Sequence, residues 1–266
     1  MELVRQGKIS YLQAAWAKPP QLFAGVTIRN GGVSRPPYNS LNLGSNTDDA
    51  PYNVEGNRST LAHSFDIALH ELLLVKQVHG NDILLVDDDN HDVSHFQNVE
   101  ADAIITARPG LMIGVTVADC YPLLLADPRR RVAAVAHLGW RGMAAGLIGK
   151  TVAAMVEEFG CQRSQLLAAL GPGISARHYR VGKEVRDAFR ANPLAGDWSA
   201  LATEVALGQW QLDLQKSALL QLAAAGIDGP RCDASDLCSY RNKDMLFSYR
   251  RDQGQTGRQM GFVLLR

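Results

Sequence analysis

The 266-residue chain has no surplus of either charge: Lys plus Arg and Asp plus Glu both number 27, for a formal net charge of zero. Without an overall field to attract a polyanion or an anionic bilayer, nucleic acid and membrane surfaces are not expected partners. A small charged ligand is not excluded, because a local patch can hide in a neutral sum. No stretch reaches the roughly 18 uninterrupted apolar residues of a membrane-spanning helix. The opening MELVRQGKISYLQAAWAKPP has no apolar core of signal-peptide type, so a cytoplasmic location is expected. Cysteine is scarce. Cys120, Cys161, Cys232 and Cys238 do not have the spacing of a disulfide scaffold, so reduced thiols are expected, although local geometry could let Cys232 and Cys238 pair. There is no repeat and no low-complexity tract. The strongest charge cluster, DDDNHD at 87–92, reads as a solvated loop. No obligate protein partner is evident.

What is present is apolar, short-range pattern. Hydrophobic residues make up 46% of the chain, enough for a sizeable core. Nothing marks a boundary, so residues 1–266 are read as one domain. Runs of strand length lie at 72–78, 83–86, 111–118, 122–126 and 132–136. The runs 111–118 and 132–136 are apolar on both alternating faces, as in strands covered on both sides. Amphipathic helices are expected over about 143–159, ending at Gly160, and over about 211–225, before Gly226, with a shorter one after Val181. The class is therefore α/β or α+β. The Gly-, Pro- and Asn-rich stretch RNGGVSRPPYNSLNLG at 29–44 is too long for a simple connector and reads as an ordered, functional loop.

Three side chains stand where strand-like runs stop. His79 ends VKQVH, Cys120 ends GVTVADC and His137 ends VAAVAH, each with Gly or Pro within two residues. Strand ends are where layered α/β proteins bind ligands. A thiolate with two neutral imidazoles suits zinc, and three protein ligands leave a fourth position for a water whose pKa the metal lowers to about 7. The same residues also suit a plainer reading, a small core cysteine and hydrogen-bonded histidines, because their separations match no local zinc motif. The turn GWRGMAAG adds Arg141 at what reads as a helix start, a combination that could hold phosphate or could simply be a glycine turn with a surface arginine.

Taken together, the motifs resemble one family. RNGGVSRPPYNSLNLG, GNR at 56–58, KQVHG at 76–80, EADAIIT at 100–106, ADCYPLLLAD at 118–127, AHLGWRG at 136–142, GPGI at 171–174, and FSYRRD with TGR near the C-terminus follow the order of the YfiH, or laccase-domain, family. The resemblance runs nearly end to end. It implies a layered α/β sandwich of mixed sheets between helices, and a zinc site of His79, Cys120 and His137, with copper possible by substitution. It also implies phosphorolysis of adenosine, inosine and methylthioadenosine together with adenosine deamination. Tyr179-Arg180 stands where the family often has Tyr-Glu, and Leu138 where a small residue is common.

The older oxidase label fits poorly. A trinuclear copper cluster needs many imidazoles, whereas this chain has seven histidines and no His-x-His pair. Deamination calls for a carboxylate beside the metal to move protons, and Asp119 and Asp102 are both open choices. Phosphorolysis calls for an anion cradle and groups for the nucleoside. Arg141 is the first choice for phosphate, with Arg58 and Lys76 as further cations, while Ser40 and Asn42 of the long loop are candidates for nucleoside contacts or for turn-internal bonds. Trp140 could stack on a base or anchor its turn. The alternative activity is hydrolysis of a UDP-linked muramyl precursor of peptidoglycan, and the non-enzymatic alternative is a nucleoside sensor.

Overall fold

The structure is a computed structural model that describes residues 1–86, 96 and 98–266. The acidic stretch 87–92, expected as a solvated loop, lies outside the described residues. The chain begins with β1 (Glu2–Gln6), β2 (Ile9–Gln13) and β3 (Leu22–Thr27). After the long loop, helix α1 (Pro51–Ser64) starts on a proline, whose missing N–H has no helical partner to lose there. Then come β4 (Leu72–Leu74), β5 (Ile83–Val86), β6 (Ala103–Thr106), β7 (Met112–Val117), β8 (Tyr121–Asp127) and β9 (Val132–Leu138). Helices α2 (Trp140–Ala144) and α3 (Leu147–Phe159) lead to β10 (Leu167–Leu170), β11 (Arg180–Val181) and α4 (Lys183–Ala191). The chain continues through α5 (Trp198–Leu201), β12 (Ala202–Ala206), β13 (Gln209–Leu212), α6 (Leu214–Ala224), β14 (Cys232–Ala234) and β15 (Gln259–Leu265).

Two six-stranded mixed sheets form the centre, in the orders β1-β2-β3-β15-β7-β4 and β14-β10-β8-β9-β6-β5. Side-chain alternation along β9 explains their stacking. Ala133 and Val135 face an inner layer shared with Ile113, Val115 and Val263 of the first sheet. Val132, Ala134, Ala136 and Leu138 face the opposite way, onto Ile148 and Val152 of α3 and Leu222 of α6. Across the first sheet, Leu61 and Ala62 of α1 cover Tyr11, Met112 and Phe262. The layers therefore run helix, sheet, sheet, helices, which is the expected sandwich of mixed sheets. A third sheet, β11-β13-β12, packs beside α4, where Phe189, Trp198 and Trp210 meet edge to face. Among the described residues no helix is long and apolar enough to cross a membrane.

The expected elements are present with four changes, the first three of them at the site. The run 72–78 is a strand only to Leu74, because the N–H groups of Val78 and Gly80 go to the Asp102 carboxylate (3.2 and 2.6 Å) instead of a ladder. The run 132–136 extends to Leu138, so His137 lies inside β9, opposite Pro122. The helix expected over 143–159 is two helices, parted at Gly146, whose φ of 78° is left-handed. At the other expected helix, Gln209–Leu212 is strand, and α6 starts after Asp213, whose side chain accepts the Lys216 N–H.

Candidate metal centre

His137 shares the parity of Ala133 and Val135, so its imidazole enters the layer between the sheets, and it is buried. Cys120 sits in the short turn that carries the chain from β7 of the first sheet to β8 of the second. His79 follows the end of β4. The three residues thus converge at one open end of the intersheet layer, with candidate ligand atoms all within 4.8 Å of one another. The two imidazoles meet edge to face, 4.6 Å between centroids.

The backbone around them is specialised. His79 has φ 59° and Asp119 has φ 92°, left-handed values that side chains with a Cβ adopt at a cost of about 1–3 kcal/mol. Such strain persists only where surroundings hold it. Asp119 is held by its own carboxylate, which accepts the Ser239 hydroxyl (2.6 Å) and the Arg250 N–H (2.7 Å). Gly139 lies against the cluster, and a Cβ there would come 2.9 Å from His79 Nδ1 and 3.3 Å from Cys120 Sγ. Gly139→Ala is therefore expected to displace the exposed His79 ring and lower metal affinity at least tenfold, with little change in melting temperature. A chelator-competition titration alongside thermal unfolding measures both.

Asp102 organises the site from beneath. It is fully buried, and Oδ1 accepts His137 Nδ1 at 2.8 Å, leaving Nε2 for a ligand role. The same carboxylate takes the N–H groups of Val78, His79 and Gly80. Burial alone would raise its pKa, but His137 and the Gly80 and Val78 N–H groups outweigh that and hold it below the usual carboxylate range. Although the residue as a whole is exposed, partial desolvation of its ring, then the neighbouring His137, pushes His79 down to about 4, so it is neutral at pH 7. Burial acts to lower His137 as well, but Cys120 and Asp102 overcome it and bring it up to about 9. A thiol, two imidazoles, a carboxylate-oriented tautomer and a glycine where a Cβ would collide form a donor set that fits a tetrahedral metal with an open position.

Other expected residues fall elsewhere. Asp102 and Asp119, each considered as a proton carrier, accept the donors named above, four for Asp102 and two for Asp119. Ser40 Oγ accepts the Gly31 and Gly32 N–H groups, which ties the long loop to itself. Asn42 is fully buried: Oδ1 accepts from Gly44 and Arg258, and Nδ2 donates to Thr47 and Asp49. These bonds tie both side chains to the loop and its neighbours. Asn42→Ala is expected to cost about 3 kcal/mol of stability, since it orphans several buried groups, and to leave ligand affinity of the folded fraction unchanged. Denaturant unfolding checks this. Arg58 gives Nε and Nη2 to the Leu43 carbonyl (3.0 and 2.9 Å), and Lys76 pairs with Glu100 at the surface (2.8 Å). These two cations do line one cleft of about 640 Å³ with Gln77.

Arg141 is exposed and stacks on Trp140, 4.2 Å from the ring centroid, and its charge is felt at His79 and Tyr179. The helix it opens is only five residues long, so the phosphate argument keeps the guanidinium and loses the helix start. Two groups were given no firm role from sequence. The half-buried Arg258 acts electrostatically on both His79 and Cys120, because β15 pairs Gln259 with Val117, three residues before Cys120. Tyr179 has its hydroxyl buried within reach of the Cys120 charge. Arg251 pairs with Asp252, whereas Arg250 lies over Tyr179 instead of pairing with an acid. All four cysteines are free, and Cys238 accepts from the Ser175 N–H and hydroxyl.

Comparison with known proteins bears on this geometry. The family described as multi-copper polyphenol oxidoreductase laccase matches residues 23–266. The chain is 37% identical to "Purine nucleoside phosphorylase YfiH" of Escherichia coli (strain K12) over 94% of this chain and 96% of that protein. It is 34% identical to "Purine nucleoside phosphorylase YlmD" of Bacillus subtilis (strain 168) over 93% and 91%. Its structure resembles Bacillus licheniformis YfiH with a TM-score of 0.87 at 33% identity, covering 92% of this chain and 93% of that one. With the fold shared end to end, the chain belongs to this laccase-domain family of YfiH and YlmD proteins.

Proposed function

We propose that this chain is a zinc-dependent purine nucleoside phosphorylase for adenosine, inosine and methylthioadenosine, with adenosine deamination as a second activity. The observation that carries the reading is the convergence of His79, Cys120 and His137 within 4.8 Å, beside an arginine with no carboxylate partner among the described residues, in a chain whose relatives bear the phosphorylase name. Zinc suits the mixed thiolate and imidazole donors, and copper could replace it by raw affinity. When bound, the metal would supply a Lewis acid with an open position.

The chain's own residues do the rest. Asp102 fixes the His137 tautomer, and the Asp119 clamp holds the turn that presents Cys120. Arg141 offers a planar fork to phosphate, and Arg258 and Arg250 keep the neighbourhood cationic. Phosphorolysis ranks ahead of deamination because it draws on these cations, whereas of the two carboxylates considered for proton transfer Asp102 already accepts four donors and Asp119 two. Oxidase chemistry with several coppers is not proposed, since the described residues bring together one ligand cluster. A single domain suits a sheet that joins strands from both ends of the chain, and a cytoplasmic location suits the free thiols.

Turnover of adenosine with and without phosphate, on protein of measured metal content, tests the reading. Base release only with phosphate supports it. Inertness to nucleosides with cleavage of a UDP-linked muramyl precursor replaces it with the hydrolase, and binding without turnover replaces it with a sensor.

A further inference from the structure

Tyr179 belongs to two environments. Its hydroxyl lies within electrostatic reach of Cys120 and Arg141, and its ring carries the Arg250 guanidinium 5.3 Å from the centroid. It also lines a cavity of about 330 Å³ with Trp140, Arg180, Glu184, Gln209 and Arg250. In the short strand β11 the buried Val181 turns inward, so Arg180 faces out. Arg180 accepts Arg250 Nη1 at its carbonyl (3.0 Å), and its own guanidinium has no hydrogen bond or ion pair among the described residues. The one acid of the lining, Glu184, is folded back over Gly182 in the first turn of α4, where a carboxylate serves the helix start. Arg250 is itself fixed by its N–H to Asp119, the residue before Cys120. Two guanidinium groups with no ion pair among the described residues thus face one cavity between two aromatic walls, with Glu184 its one acid, joined to the metal centre by Tyr179 and the Asp119 clamp. A single carboxylate would occupy one fork, whereas a dianionic phosphoryl group offers three oxygens to both.

We propose that this cavity is a subsite for a phosphoryl group carried by the nucleoside, so that nucleoside phosphates are better ligands than free nucleosides. The inference rests on reading the metal centre as a purine nucleoside site, and it is separate from the attacking phosphate assigned to Arg141. Calorimetry on zinc-loaded protein with adenosine, adenosine 5′-monophosphate and inorganic phosphate, each titrated alone, tests it. The monophosphate is expected to bind at least about tenfold more tightly than adenosine, with the advantage shrinking as salt is raised. Arg180→Ala, at an exposed site that should not disturb folding, removes the advantage and leaves adenosine binding unchanged. Arg180→Glu reverses the preference. The subsite is overturned if the monophosphate binds no tighter than adenosine, or if Arg180→Ala weakens both alike. It is equally overturned if Arg180→Ala weakens only inorganic phosphate, since the cavity then holds the attacking phosphate. In each of these cases adenosine still binds, so the nucleoside reading stands. If adenosine neither binds nor turns over, both readings fall together.

Discussion

Asp102→Asn is expected to lower zinc affinity about ten- to a hundredfold, the usual cost of losing the group that orients a metal-binding histidine. The carboxylate accepts His137 Nδ1 and three backbone N–H groups at 2.6–3.2 Å. An amide has one oxygen to offer, and its NH₂ would face donors. At least one buried N–H is left without a partner, at about 1–3 kcal/mol each, so a lower melting temperature accompanies the loss. The amide can also donate to Nδ1, placing the ring proton on Nε2, where the metal should bind. The pH dependence gives a second readout. With His137 raised to about 9 in the metal-free protein, zinc must displace its proton, so wild-type affinity rises with pH toward about 9. In stability terms, a raised histidine pKa stabilises the metal-free fold fully below the unfolded value of about 6.5, and the contribution is lost as pH climbs through about 9. Without the carboxylate, both midpoints move to lower pH. Chelator competition and thermal unfolding from pH 6 to about 10 measure this window, and unchanged affinity would show that Asp102 only closes the turn.

Arg141→Ala is expected to raise the apparent KM for phosphate and slow phosphorolysis about ten- to a hundredfold, corresponding to the loss of charge-assisted contacts worth about 1.5–3 kcal/mol. Adenosine deamination uses water, so it should suffer far less. The side chain is exposed and rests on Trp140, so the fold should be unaffected. Steady-state kinetics for both reactions on the one variant decide the matter. Equal losses would place Arg141 on the nucleoside or in the turn, and the phosphate assignment would fail.

The central layers were legible because β7 and β9 are apolar on both faces, a pattern that only strands covered on both sides produce. The three candidate ligands were legible as side chains standing near the ends of such runs. What escaped notice was what depends on pairing between distant segments. β1 and β2 fall outside the apolar runs read as strands and become strands by pairing with each other and with β3. Arg258 reaches the site only through the β15–β7 register. Asp102 could be named but not assigned, because its role lies in a loop 23 residues from His79 and a strand 35 residues from His137. Ser40 and Asn42 were candidates by residue type, and the structure buries Asn42 while leaving Ser40 half-buried. The break at Gly146 was hidden by a helical pattern that continues on both sides of it.

The most direct measurement is phosphate-dependent release of adenine from adenosine by wild-type and Cys120→Ala protein, with zinc quantified in both. The expected result is adenine only when phosphate is present, in proportion to about one zinc per chain, with zinc and activity lost together in a Cys120→Ala protein that still folds, since an open catalytic site adds less to folding than a structural one. Adenine released equally without phosphate, or at the wild-type rate by Cys120→Ala, would contradict it.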